Sequence, residues 1–301
     1  MFELTNDQRK CFALAPVRDQ WERIEAKPSP YDQFKTYLYL EGDTIVKCIL
    51  SGDSQYCEYE LSEKVSLDRK YLLPKTAKGK PTLLSSSTIL KRNGIGMRLN
   101  YNDKSIHLYN EKNECSYFFN SYLHDDVCDL DGFSRWVENW CKETTDSDIA
   151  DIIRFSQQER RHIRYQEGDV FRFKIGRRLY GYGRILLDYD KMRKKKEPFW
   201  DILMSKPLVC SVYHIVTDRD DASLDELQHL GSLPSTIIAD NSLFYGEYKI
   251  IGNLPVTENE DYPVMYGNSI HMGEKAVCYQ CGKNFRKIDN GTAICGGFVN
   301  N

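Results

Sequence analysis

Over the first 122 residues, apolar positions come in short runs with strand spacing. Tyr37-Leu-Tyr-Leu40 and Thr44-Ile-Val-Lys-Cys-Ile-Leu50 flank Glu41-Gly42-Asp43, a glycine-containing connection of hairpin length, and so predict a β-hairpin. Residues 95–101, 105–109 and 115–119 alternate apolar and polar positions. Asn102-Asp103 and Asn110-Glu-Lys-Asn113 separate them with turn-prone side chains, which predicts a three-strand meander. Ahead of these strands, Thr5 is placed to cap a short helix carrying Phe12 and Leu14, and Pro16 ends it. Between 129 and 163 the period lengthens. Phe133, Trp136, Val137 and Trp140, then Ile149, Ile152, Ile153 and Phe155, fall at helical spacing and predict two helices.

Alternation returns at Gly168-Asp-Val-Phe-Arg-Phe-Lys-Ile175, with Phe171, Phe173 and Ile175 on one face and Val170, Arg172 and Lys174 on the other. Leu179-Tyr-Gly-Tyr-Gly-Arg-Ile-Leu-Leu187 predicts the partner strand, whose two glycines permit a bulge, a bend or close backbone packing. Further strands are expected at 208–216, 236–239 and 244–251, with a short helix near 223–230. The pattern predicts an α+β chain of mostly antiparallel β structure in two β-rich modules. They are a small α+β module at 1–122 and a domain at 165–301 built on a curved, barrel-like sheet, joined by a helical connector at 123–164.

With 301 residues, 28% charged and 41% hydrophobic, the chain has the makeup of a globular protein long enough for two domains. No run approaches the ~18 consecutive apolar residues of a membrane helix, and the first ten residues have neither the basic start nor the apolar middle of a signal peptide. A cytoplasmic location is expected, with the 10 scattered cysteines reduced. The net charge of −3 hides a segregation: a basic stretch at 160–196 is followed by an acidic one at 218–261, where Arg219 and Lys249 are the basic side chains.

The Gly168-Asp-Val-Phe171 strand start, the Tyr180-Gly-Tyr-Gly-Arg-Ile-Leu186 strand and the Lys249-Ile-Ile-Gly-Asn-Leu-Pro255 segment together resemble the immunity protein 26 family of bacterial polymorphic toxin systems. The resemblance covers roughly residues 165–260. It implies a protein that binds and neutralises a toxin encoded beside it, and it does not name the toxin. Some proteins under the same label are called phosphotriesterases, which sets a test for the residues. The six histidines form neither an HxH nor an HExxH pair, so the metal cluster that such hydrolysis needs has no sequence support. Nor is there a Gly-x-Ser-x-Gly elbow for a nucleophile, and Gly181-Tyr-Gly183 lacks the third glycine and following helix of a phosphate loop.

The expectation is therefore a binding protein, not an enzyme, that occludes a toxin's active site. If the toxin is a nuclease, the acidic stretch offers a mimic of phosphate, with Asp218, Asp220, Asp221, Asp225 and Glu226 at its centre and Glu258, Glu260 and Asp261 beyond. Tyr180, Tyr182 and Trp200 are the candidate aromatic anchors. For Tyr182, core packing is an equal alternative. Nucleic-acid binding is the rival, through Arg160, Arg161, Arg172, Lys174, Arg177, Arg178, Arg184 and residues 191–196 interleaved with Tyr180 and Tyr182. No cofactor is expected. A structural zinc has one candidate set, Cys278 and Cys281 with Cys295 and a distant fourth ligand such as His271.

Overall fold

The computed structural model describes residues 2–102, 105–120, 127–159, 161–188, 194, 207–233, 235–244, 246–257, 264–268, 277–281 and 298–300. The chain divides into two compact units, Met1–Glu159 and Arg160–Asn301. The strand pairings of both are antiparallel.

The first unit opens with helix α1 (Asn6–Lys10), capped by the Thr5 side chain, which accepts from the Gln8 N–H. Strands β1 (Glu22–Glu25), β2 (Phe34–Glu41), β3 (Thr44–Gly52) and β4 (Gln55–Val65) follow, then β5 (Tyr71–Leu73), β6 (Thr82–Leu83) and the short α2 (Ser86–Ile89). The meander is β7 (Met97–Asn102), β8 (Ser105–Asn110) and β9 (Cys115–Asn120). The main sheet runs β1-β2-β3-β4-β7-β8-β9, with β5 and β6 branching from β4. Along β7 the side chains alternate buried and half-buried, the two-residue period that prediction used.

Helices α3 (Leu130–Glu143) and α4 (Asp146–Ser156) complete this unit. The connector expected at 123–164 is thus divided differently. Both helices put Phe133, Val137, Trp140 and Ile152 into the same core as Phe12, Tyr56 and Leu99, and the division falls after them, at Glu159. Phe133 stacks on Tyr101 with ring centroids 4.4 Å apart, and Trp140 stacks on Phe12 at 5.7 Å. The opposite face of β2–β4 carries a second core, built from Leu38, Leu40, Cys48, Leu61, Leu72 and Ile89.

The second unit holds β10 (Asp169–Ile175), β11 (Leu179–Asp188), β12 (Pro207–Val212), α5 (Leu224–Gln228), β13 (Thr236–Ala239), α6 (Asn241–Phe244) and β14 (Lys249–Asn253). Its sheet order is β13-β12-β11-β10-β14, and among the described residues this sheet, expected to be curved and barrel-like, does not close into a barrel. Register shifts at Val170/Phe171 and Ile185/Leu187 give it local irregularity. Residues 264–268, 277–281 and 298–300 form a separate three-stranded sheet. Two strand expectations were too long. Residues 214–216 leave the ladder after a last bridge at Tyr213, and Phe244 ends α6 while 246–248 form a turn before β14 begins at Lys249.

Candidate binding surface

The β10–β11 hairpin sets the site. Phe171 lies opposite Gly183 and Phe173 opposite Gly181, and each ring covers its glycine: a Cβ on Gly183 would sit 2.5 Å from Phe171 Cζ, and one on Gly181 2.6 Å from Phe173 Cζ. The glycines serve close packing at this point, and the bulge lies further on, at Ile185/Leu187. Phe171 also stacks face to face on Tyr248, with centroids 4.9 Å apart.

The start of β10 is fixed by Gly168 and Asp169. Gly168 has φ +91°, and a Cβ there would meet the Leu254 carbonyl at 2.7 Å. Its N–H donates to the Ile185 carbonyl, and its own carbonyl accepts from the Leu254 N–H. The buried Asp169 carboxylate accepts from the Gln166 N–H and from Asn253 Nδ2, both at 2.8 Å. Arg184 Nε donates to the Leu254 carbonyl at 2.8 Å, and its Nη2 donates to the Pro255 carbonyl. The Gly-Asp pair, Arg184 and the Gly252-Asn-Leu-Pro255 segment therefore form one closed hydrogen-bonded seam.

The opposite face of the hairpin carries Val170, Arg172, Tyr180 and Tyr182, and against it lies the loop from Thr217 to Ser223. Tyr182 OH donates to the Arg219 carbonyl at 2.9 Å and accepts from the Ala222 N–H at 3.3 Å. Arg172 Nη1 reaches both the carbonyl and the carboxylate of Asp220, with its guanidinium 4.8 Å from the Tyr180 ring centroid. Thr217 pairs with Tyr180 through two backbone hydrogen bonds, and Ser223 caps α5 by accepting from the Glu226 N–H. In return the Ser223 N–H and the Arg219 guanidinium hold the Glu226 carboxyl below the usual carboxylate range. Acidic side chains thus sit on a loop whose backbone is bonded to the sheet at four residues: 217, 219, 220 and 222.

Residues 166–277 match the family model of Immunity protein 26. The three segments that carry the likeness in sequence are those that build the seam, the Phe-over-Gly packing and the loop clamp. No curated protein and no solved structure matches the chain. Residues 1–165 lie outside the Immunity protein 26 region.

The anticipated site residues fare differently. Asp218, Asp220, Asp221, Asp225 and Glu226 are each exposed, on the 217–223 loop and the first turn of α5. Tyr182 is 0% exposed and its hydroxyl is engaged on both sides, so the ring belongs to the core. Tyr180 is half-buried beneath Arg172. Trp200, Glu258, Glu260 and Asp261 lie outside the described residues, as do His271, Cys295 and the side chains of Cys278 and Cys281. The described cysteines are free thiols.

Within the basic stretch, Arg172 is turned onto Asp220 and Arg184 onto the carbonyls of 254 and 255, whereas Arg161, Arg164 and Arg178 are exposed. Residues 160, 191–193, 195 and 196 of that stretch lie outside the described residues. Sequence reasoning missed the clamp because Arg172 and Asp220 are 48 positions apart. The strand pattern places Arg172 on a face and says nothing of what crosses it.

Proposed function

We propose that this chain is an immunity protein whose second unit binds a cognate toxin through the loop 217–226 and blocks it by occlusion. The family match supports the immunity reading. The observation that carries the surface is a loop of acidic side chains fixed to the sheet by Tyr182 and Arg172 before any partner arrives. A rigid loop gives up little conformational entropy on binding, and the exposed carboxylates of Asp218, Asp221 and Asp225 supply a field that steers a basic partner and speeds its approach. A nuclease, whose active site is basic in order to hold phosphates, has the matching sign. The role is binding and not catalysis.

The test is co-expression with the product of each neighbouring gene, scoring rescue of growth and co-purification. Rescue with a stable complex is the expected result, and a toxic neighbour that kills despite this protein refutes the immunity reading. With a partner in hand, Asp218→Asn, Asp221→Asn and Asp225→Asn together should slow association about tenfold at low salt and flatten its salt dependence. These three are the right set because Asp220 also holds Arg172, so its replacement would disturb the clamp as well as the charge. An unchanged association rate removes the electrostatic surface and leaves immunity standing.

A further inference from the structure

The tip of the β10–β11 hairpin carries partly exposed aliphatic side chains. Ile175 and Leu179 face each other across the tip of β10–β11 and are 38% and 42% exposed. Val216, 60% exposed, precedes Thr217, which pairs with Tyr180, the residue after Leu179. Backbone pairing therefore brings three exposed β-branched or leucine side chains to one end of the sheet, one residue from Asp218. Single exposed aliphatics are ordinary, but a group of them bordered by fixed charge has the make-up of an interface: an apolar centre with a charged rim.

We infer that Ile175, Leu179 and Val216 form the apolar centre of the docking surface, and that its occupant is a toxin domain presenting an aliphatic or aromatic anchor flanked by basic side chains. This rests on the proposed function and deepens it. The sign of the flank follows from charge complementarity, since the exposed Asp218 follows Val216 by two positions on the same loop. Arg178 is exposed at the hairpin tip. A basic flank laid over the tip would meet that charge, whereas over the loop it meets carboxylates, so the charges also set the orientation of docking. The division of labour is that the carboxylates govern how fast the partner arrives and the aliphatics govern how long it stays.

The experiment measures binding of the full chain to the toxin encoded by the neighbouring gene, with its activity removed by substitution, and compares Ile175→Ser, Leu179→Ser and Val216→Ser with Leu83→Ser. Leu83 lies in the first unit and is 46% exposed, so it matches Leu179 in exposure but not in place. The patch variants should each dissociate about tenfold faster or more, which is about 1.4 kcal/mol, with association rate and its salt dependence retained and Leu83→Ser neutral. Circular dichroism and thermal unfolding of each variant exclude loss of fold. Unchanged dissociation in well-folded patch variants overturns the inference and leaves immunity intact. Self-association of the free chain that Leu179→Ser abolishes assigns the patch to a second copy and equally overturns it. Failure of the wild-type chain to bind or protect against any neighbouring toxin brings down the proposed function, and this inference with it.

Discussion

The two units use charge in opposite ways. The first buries it: Glu58 Oε1 accepts from Lys47 Nζ at 2.6 Å and from Arg9 Nε at 2.7 Å, and all three side chains are almost wholly out of water. Tyr56 OH donates to the other oxygen of Glu58 at 2.5 Å, and Arg9 Nη2 and Tyr39 OH both donate to Glu3. Burial by itself would raise the Glu58 pKa, but Lys47 and Arg9 outweigh it and hold the carboxyl below its ordinary value. In the second unit two partly buried guanidiniums are turned onto loops, Arg172 onto Asp220 and Arg184 onto the carbonyls of 254 and 255. Buried charge is costly unless every partner is present, so in the first unit it works as a lock between the N-terminal segment and the sheet. Partly buried charge bonded to a loop costs less and fixes a shape that another molecule can meet.

The largest test of this contrast is Glu58→Gln. Removing the carboxylate takes from Lys47 and Arg9 the buried counter-charge they share, leaving Arg9 with Glu3 and Lys47 with Glu60 at 4.0 Å, and the first unit should lose about 3–5 kcal/mol, read as a shift in its own unfolding transition in urea. The transition of the second unit should stay in place; a common shift would mean that the two do not unfold separately. Next in size is Gly183→Ala, where the added Cβ meets Phe171 Cζ at 2.5 Å and the Ser211 carbonyl at 2.9 Å. The second unit should lose about 1–3 kcal/mol, and pairing the change with Phe171→Leu should recover part of it, measured by thermal unfolding.

Alkali sharpens the contrast further. Burial first, and then the Glu58 charge, pushes the Tyr56 pKa well above its ordinary 10.0. Burial is also the leading cause of the rise at Tyr59 and Tyr39 and of the rise to about 12 at Tyr109. A raised pKa gives stability that is complete below the unfolded value and is lost as pH climbs through the folded one. Above pH 10 the first unit should therefore weaken, with Tyr56 alone accounting for about 1.4 kcal/mol by pH 11. In the second unit Tyr248 is pushed up to about 12, and this unit is expected to change less. Unfolding of each unit followed from pH 8 to 11 checks the difference. Smallest is Tyr182→Phe. The Arg219 carbonyl lies at an exposed residue and recovers water, whereas the buried Ala222 N–H loses its acceptor, so stability should fall by about 1 kcal/mol while amide exchange accelerates at 219–222.

Much of the fold was legible where side chains obey a single period. The hairpin at 37–50, the meander at 95–119, the two helices after 129, and the strands at 168–175 and 179–187 all stand where their apolar spacing put them. Strand β4 was not legible, because Gln55-Tyr-Cys-Glu-Tyr-Glu-Leu-Ser-Glu-Lys-Val65 reads as a charged segment until Glu58 is seen paired inside the core. Lys47 hides in the same way within an apolar strand. At the candidate site the acidic run was visible as composition, and the family likeness was visible in Gly168-Asp-Val-Phe171. Which tyrosine was buried was not visible, since Tyr180 and Tyr182 share a face and only the loop that crosses it distinguishes them. The aliphatics at 175, 179 and 216 each read as an ordinary strand residue, and their grouping depends on a pairing, Tyr180 with Thr217, that no local pattern encodes.

The N-terminal segment also has a consequence for synthesis. Arg9 finds its counter-charge 49 positions later, and the Cys11 carbonyl accepts from Trp140 Nε1, 129 positions later. As the chain leaves the ribosome, the N-terminal segment gains the last of these partners only when helix α3 has emerged. The unit that is made first therefore closes only when its last helices arrive, and the residues that follow Glu159 are already being translated as it does so.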